Sequence, residues 1–133
     1  MDYLKKFLVL ALTALLLAFF PARVYGENTG SLVYYKNEEM ITERVYFSDE
    51  ASDEKKAFIL LKVLLKNKCD NVPKSIDVNF VFLDEGGLFV ELSSQINNTI
   101  EADRGRLMEQ ITKTACSLNG VDSIIIFTED LKQ

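Results

Sequence analysis

The sequence predicts an α+β domain with the element order β-α-β-β-α-β, in which two helices cover one face of a sheet. Three observations lead to this class. Two segments have apolar residues at helical spacing, and between them two alternating stretches flank a Gly-Gly turn, as in a β-hairpin. Short β-branched or aromatic runs precede the first helix and follow the second. The economical arrangement is the split β-α-β, ferredoxin-like class, where a hairpin strand fills the gap that the first crossover leaves.

The first 26 residues have the features of a secretory leader. Lys5 and Lys6 precede a run of 14 residues, 7–20, that is apolar apart from one threonine. This length fits the apolar core of a signal peptide, whereas a membrane-spanning helix needs about 20 such residues. We therefore expect residues 1–26 to be a signal peptide cleaved after Gly26. An uncleaved N-terminal membrane anchor is the alternative, because the residues after the run extend it toward a marginal span.

Without this leader, the chain carries 12 Lys and Arg against 19 Asp and Glu, a net charge of −7. An acidic balance argues against nucleic acid and against an anionic membrane surface as partners. The acidic charge fits an exported domain and is compatible with basic protein partners. We expect contact with the membrane only if the leader is not cleaved.

Residues 27–42 are interpreted as a linker and N-terminal extension. They begin with a polar, glycine-containing stretch and contain one short apolar segment, 31–35, that could be extended. The domain itself is expected to span residues 43–133. Its first strand is predicted at 43–47, where a Val-Tyr-Phe run has strong β preference.

The first helix is predicted to begin after Ser52, a good N-cap residue. Asp53 and Glu54 follow in the first turn, where the helix dipole favours negative charge. The helix is expected to end near residues 67–68, because the Asn-Val-Pro sequence at 71–73 prevents its continuation.

The clearest local pattern is a hairpin at residues 76–92. Its first strand is expected to bury alternate side chains under the helices, namely Ile76, Val78, Phe80 and Phe82. Asn79 then points to the opposite face. The turn is at 84–87, since its glycines can adopt positive φ. The returning strand places on the buried face Leu88, Val90 and Leu92.

A polar loop, 93–102, leads to a second helix that Asp103 is expected to cap. The apolar stripe of this helix consists of Leu107, Ile111, Ala115 and Leu118. Asn119 and Gly120 supply a left-handed stop. The closing strand, 123–127, is a continuous β-branched run, which predicts burial on both of its faces.

The two cysteines are predicted not to form a disulfide. In this topology the two helices run antiparallel, so Cys69 and Cys116 lie at opposite ends of the helical layer. A helix of about 14 residues is roughly 20 Å long, whereas a disulfide needs Cα atoms within about 7 Å. Helical phase places Cys116 away from the apolar stripe, so we expect it to be partly exposed.

The sequence offers no catalytic constellation. It has no histidine, the commonest general base and the usual ligand of catalytic zinc. Cys69 lies beside Asp70, which disfavours the thiolate. Carboxylate pairs such as Asp53-Glu54 are explained by helix capping and solvated turns rather than by a calcium loop. We assign no catalytic, cofactor-binding or metal-binding residues, and we expect no enzyme activity.

Four segments, in order, resemble the GerM-type (GerMN) domain of sporulation and spore-germination proteins. Residues 45–48 are similar to its opening Tyr-Phe-Ser strand, and residues 63–67 to its Leu-Leu-rich helix. The hairpin ending at 90–93 resembles the family's Val-Asp-Leu/Phe-Ser, and residues 120–124 its Gly-Val-x-x-Val. The resemblance runs from about residue 43 to residue 130.

This resemblance implies a noncatalytic domain exported by a Gram-positive, spore-forming bacterium. It also implies a relation in shape to the ring-building motif of the sporulation secretion apparatus, whose modules pack side by side, the helices of one against the sheet of the next.

Two functions remain open from the sequence. The first is a binding or assembly module that contacts a protein partner or itself in the cell envelope. An apolar patch on the exposed sheet face or along one helix would favour it. The second is a small-ligand or cell-wall-glycan binder that regulates cell-wall hydrolysis and uses the loop 93–102. A concave pocket with convergent polar groups would favour that function.

Overall fold

The computed structural model describes residues 28–129 except positions 49 and 71, so the predicted leader, 1–26, lies outside the described residues. The strands are β1 (Thr29–Lys36), β2 (Glu39–Tyr46), β3 (Val78–Asp84), β4 (Gly87–Leu92) and β5 (Ser123–Thr128). The first helix, α1 (Asp53–Val63), is continued by a π-helical turn (Leu64–Lys68). A 3₁₀ helix (Ser94–Asn98) precedes the second helix, α2 (Glu101–Ala115). No helix in this part of the chain has the length and hydropathy to cross a membrane.

The α+β class is confirmed, but the strands form two sheets instead of one. β1 and β2 make an antiparallel hairpin. The second sheet has the order β3-β4-β5, with β3 antiparallel and β5 parallel to the central β4. The predicted order of strands and helices is therefore confirmed, whereas the single ferredoxin-like sheet is not formed. The first crossover, through α1, joins two different sheets, and the second, through α2, joins β4 to its own neighbour. No gap is left for a hairpin strand to fill.

The predicted linker and extension, 27–42, contains all of β1 and the first half of β2. β1 pairs with β2 along its whole length, from Thr29 opposite Tyr46 to Lys36 opposite Glu39. Leu32 is 2% exposed and belongs to the core. The folded unit therefore begins well before residue 43, because the apolar segment 31–35 is a buried strand rather than a spacer.

Polar side chains of α2 and of the turn after it hold β1 in place. Three backbone N–H groups of β1 donate to these side chains: Ser31 to Ser117 Oγ (2.9 Å), Val33 to Thr114 Oγ1 (2.9 Å) and Tyr35 to Gln110 Oε1 (2.8 Å). Alternate strand residues thus meet helix residues three or four positions apart, which share one helix face. This ladder satisfies the β1 edge that β2 leaves unpaired.

The first helix agrees with its prediction. Ser52 Oγ accepts a hydrogen bond from the Lys55 N–H at 3.1 Å, as an N-cap does. Asp53 and Glu54 lie in the first turn, and the π-helical turn ends at Lys68. Burial of its apolar face against the sheets contributes to the single core.

The second helix starts earlier than predicted. Ile100 is its N-cap residue and makes no side-chain capping bond, whereas Asp103, the predicted cap, lies in the first turn. The predicted apolar stripe is confirmed, since all four members are buried: Leu107, Ile111, Ala115 and Leu118.

A register shift in β3 reverses the predicted face of two phenylalanines. Ile76 and Val78 are buried as predicted, but Phe80 and Phe82 are exposed. The β3–β4 pairing shifts between Val78 and Phe80. One extra residue in a strand turns every later side chain to the other face, so the prediction that Phe80 faces the helices is wrong.

The closing strand is not buried on both faces, as its β-branched run had predicted. Ile124 and Ile126 pack partly against the core, while Ile125 and Phe127 are exposed. β5 is an edge strand of the second sheet and has no second layer on its outer side among the described residues.

Both cysteines are free, Cys69 buried and Cys116 exposed, which confirms the prediction that they are not bonded. The two helices pack against each other, and the segment after α2 lies beside the start of α1, since a side chain at Gly120 would collide with the Asp53 carboxylate. The two helices therefore run antiparallel, the relationship from which the prediction was made.

Candidate functional site

The outer face of the second sheet, the side turned away from the core, carries a cluster of apolar side chains. We define this aromatic face by Phe80, Phe82, Phe89, Ile125 and Phe127. Four of them are strongly exposed: Phe80 (45%), Phe82 (51%), Ile125 (50%) and Phe127 (38%). The inner face of the same strands is, by contrast, completely buried at Leu88, Val90 and Leu92.

Strand pairing arranges the aromatic face in two rows. Phe82, Phe89 and Ile125 are direct neighbours across β3, β4 and β5. Phe80 and Phe127 flank Glu91 in the next row, and their rings meet edge to face with centroids 6.1 Å apart. Such aromatic pairs add packing energy beyond the area that they bury. Apart from Glu91, the two rows form an apolar surface.

Acidic groups border this surface at one end. Asn79 Nδ2 donates to Glu91 Oε2 at 3.0 Å and to Glu129 Oε1 at 2.9 Å. The Ser94 backbone N–H donates to Glu129 Oε2 at 2.9 Å. This N–H bond, with help from the Asn79 amide, holds the pKa of Glu129 below its ordinary value. Glu129 therefore stays ionised at neutral pH.

The opposite end of the aromatic face is also acidic. Asp84 ends β3, Glu85 lies in the β3–β4 turn, and Asp122 precedes β5. All three are exposed, and the Asp122 N–H donates to the Gly86 carbonyl of the turn at 2.7 Å. The surface thus has an apolar centre between two negatively charged ends.

A polar cleft lies elsewhere, between the β1–β2 turn, the segment after α1 and the start of α2. Its volume is about 460 Å³, and its lining consists of Tyr35, Asn37, Glu38, Asp70, Arg106 and Gln110. A second cleft of about 190 Å³ also has Tyr35 and Asp70 in its lining.

Arg106 organises the larger cleft. Its two terminal nitrogens each donate to one Glu38 oxygen at 3.2 Å, and its guanidinium lies 4.3 Å from the centroid of the Tyr35 ring. The ion pair lowers the pKa of Glu38 and raises that of Arg106. Asn37 and Glu38 both adopt the left-handed conformation, with φ of 51° and 70°. They form the β1–β2 turn, and both line the cleft.

The loop 93–102, predicted as the ligand-binding segment, lines neither cleft. It is the 3₁₀ helix Ser94–Asn98 with its flanking residues, and Ser93 and Thr99 are buried. Ile100 is exposed next to it. The loop therefore borders the acidic end of the sheet, through the Ser94 bond to Glu129, rather than a cavity.

Titratable side chains do not converge on a chemical site in the described part of the chain. No group of three or more His, Cys, Asp or Glu side chains there could hold a metal ion. Burial raises the pKa of the Cys69 thiol to about 12, an effect that Asp70 increases and Lys74 partly offsets. A thiol in this state is not a nucleophile at neutral pH.

Comparison with known proteins identifies relatives of the sequence and of the fold. A family model described as "Germane: Sporulation and spore germination" matches residues 32–132. The fold is similar to the first GerMN domain of the sporulation protein GerM from Bacillus subtilis, with a TM-score of 0.61 and 16% identity over 76% of this chain and 82% of that one. No curated protein matches the sequence.

Two further solved structures are similar. The tandem GerMN domains of GerM from Bacillus subtilis give a TM-score of 0.60 at 16% identity, covering 76% of this chain and 39% of that chain. A putative lipoprotein from Clostridium perfringens gives 0.53 at 16% identity, covering 79% of this chain and 76% of that one. At such identities the likeness concerns the fold alone.

Proposed function

Since this chain belongs to the Germane family of sporulation and spore germination domains, we propose that it is a non-enzymatic module that binds a protein partner through its aromatic face. The binding takes place outside the cytoplasmic membrane, in the envelope of a Gram-positive, spore-forming cell. The predicted leader supports export, and the similarity to a protein titled a putative lipoprotein supports association with the envelope.

The exposure of the aromatic face is the observation that carries this proposal. Monomeric soluble domains rarely expose contiguous apolar patches without using them for binding. Aromatic residues are enriched where proteins bind each other, because they bury a large area with few rotatable bonds. Four exposed side chains on adjacent strands form such a patch, rather than the isolated apolar residues of an ordinary surface.

The polar cleft supports a second candidate, a binding site for a small polyhydroxylated ligand such as a wall glycan. Asn37 and Asp70 make no hydrogen bond to any other described residue, and both line the cleft. An amide, a carboxylate and the remaining N–H groups of Arg106 can pair with neighbouring hydroxyl groups. The cleft is open, and Arg106 and Glu38 are already paired with each other, so we rank this candidate below the first.

Spore formation tests the first proposal. We compare a deletion strain with strains that express Phe82→Ser/Ile125→Ser or the control Tyr46→Ser/Ile100→Ser. The control removes two apolar side chains that are even more exposed, at 70% and 66%, but lie outside the aromatic face. We expect the first pair to reproduce the sporulation or germination defect of the deletion at normal protein levels.

Normal heat-resistant spore counts and normal germination in the Phe82→Ser/Ile125→Ser strain would contradict the proposal. An equal defect in the control strain would also contradict it, because the effect would then come from general loss of apolar surface.

A further inference from the structure

In the described part of the chain, the two sheets have four edge strands, and three of these edges are protected against pairing with another chain. The β1 edge is satisfied by side chains of α2 and of the turn after it, as described above. On the β3 edge, the Leu83 N–H donates to Glu54 Oε2 at 2.8 Å, and the register shift distorts the start of the strand. The β2 strand carries the charged residues Glu39, Glu43 and Arg44. Capping, irregular pairing and charge are the usual ways in which proteins block their sheet edges.

The β5 edge has none of these protections within residues 28–129. Its sequence, Ser-Ile-Ile-Ile-Phe-Thr, has no charge and no proline. The Ser123 and Glu129 N–H groups donate toward β4, to Gly86 O (3.2 Å) and Leu92 O (2.9 Å). Because successive residues of a strand point their backbone groups to opposite sides, Ile124, Ile126 and Thr128 present theirs outward.

We propose that β5 receives an extended segment of a partner protein as a fourth strand of the second sheet, an inference that rests on the proposed binding function. Strand addition satisfies the outward backbone groups of Ile124, Ile126 and Thr128. It also lays alternate side chains of the segment beside Ile125 and Phe127, so that the aromatic face continues onto the partner. Edge and face therefore form one binding surface.

The charges around β5 define the chemistry of this segment. Glu91 and Glu129 border one end of the strand, and Asp122 borders the other. A segment with apolar residues at its centre and Lys or Arg at its two ends matches the apolar edge and both acidic ends. A second copy of this chain fits less well. Antiparallel pairing of two β5 strands through Ile126 would bring Asp122 of each copy close to Glu129 of the other, which is unfavourable.

The experiment selects ligands for the purified protein from a display library of short random peptides. We expect peptides with an apolar centre and basic residues at their ends, with affinity that falls as salt concentration rises. The variant Ile126→Pro removes one outward N–H, whereas the matched control Ile126→Val keeps it. We expect selected peptides to bind Ile126→Pro about tenfold more weakly than Ile126→Val, which corresponds to one lost hydrogen bond.

Hydrogen exchange gives the second readout. Bound peptide should protect the amides of Ile124, Ile126 and Thr128, which exchange freely before binding. If circular dichroism shows that Ile126→Pro is unfolded, the comparison is made with Thr128→Pro and Thr128→Val instead, at the last residue of β5.

The results distinguish an extended partner segment on β5 from binding to the aromatic face alone and from a second copy of this chain. Equal binding to the Pro and Val variants, without amide protection, would overturn strand addition and leave the aromatic face as the binding surface. Selected peptides without basic residues, or no selected peptides, would overturn the proposed partner. Self-association that Ile126→Pro abolishes would replace the partner by a second copy. Failure of the proposed function is seen separately, in the spore counts of the Phe82→Ser/Ile125→Ser strain.

Discussion

The Thr114 hydroxyl lies against the backbone of Val33 and bonds both of its polar groups. The hydroxyl oxygen accepts from the Val33 N–H at 2.9 Å and lies 3.3 Å from the Val33 carbonyl, to which it donates. Thr114 is completely buried, so water is excluded from both bonds. One helix side chain thus takes the place of a neighbouring strand along the edge of β1.

Replacing Thr114 by Val should destabilise the protein. The isosteric side chain leaves a buried backbone N–H and a buried C=O without partners, which costs about 1–3 kcal/mol of unfolding free energy. Denaturant unfolding measures the loss. Thr112→Val in the same helix is the control, because Thr112 is only half-buried and should cost about 0.5 kcal/mol or less. Equal losses would mean that the bonds to Val33 contribute nothing.

Phe80→Ala should have little effect on stability, since this side chain is 45% exposed on the aromatic face. We expect a loss of about 1 kcal/mol or less of unfolding free energy. Leu88→Ala, on the buried face of the same sheet, should cost about 2–5 kcal/mol. Chemical denaturation of the two variants checks the register of β3. A larger loss for Phe80→Ala than for Leu88→Ala would restore the register expected from simple alternation.

The Cys69 thiol should make the protein less stable at alkaline pH. Its pKa is raised from 9.0 to about 12 in the folded protein, so the unfolded chain ionises first as the pH rises. The stabilisation is therefore complete below the unfolded pKa and is lost as the pH rises toward 12. Comparison of unfolding free energies with Cys69→Ala from pH 7 upward isolates this group from the tyrosines and lysines. A constant difference between the two proteins would contradict the raised pKa.

The leader should be removed on export. If residues 1–26 form a signal peptide, the protein in the envelope fraction begins at Glu27. Intact mass determination and N-terminal sequencing check this. The full-length mass in that fraction would establish an uncleaved anchor instead.

The helices could be predicted from sequence because their signals are local. Ser52 with two acidic residues after it defines the start of α1, and the stripe from Leu107 to Leu118 defines the buried face of α2. The hairpin position was equally clear from the Gly86-Gly87 turn. These features depend on residues within one or two turns of each other, so no tertiary information is needed.

The features that could not be predicted from the sequence depend on contacts between residues that are far apart in the chain. The irregular pairing after Val78 turns Phe80 outward, and no residue type marks it in the sequence. β1 was interpreted as an extension because its apolar run is short, and its partners Gln110, Thr114 and Ser117 lie about 80 residues away, at sequence separations of 75, 81 and 86. Simple alternation assigns Phe80 and Phe82 to the core, so the sequence does not predict the composition of the aromatic face.

Photo-crosslinking in sporulating cells tests the central claim most directly. A benzophenone amino acid replaces Phe82, in the aromatic face, or Tyr46, an aromatic residue of β2 outside it. The account predicts one discrete protein adduct from position 82, identified by mass spectrometry, and none from position 46. Absence of an adduct from position 82, or the same adducts from both positions, would contradict binding through the aromatic face.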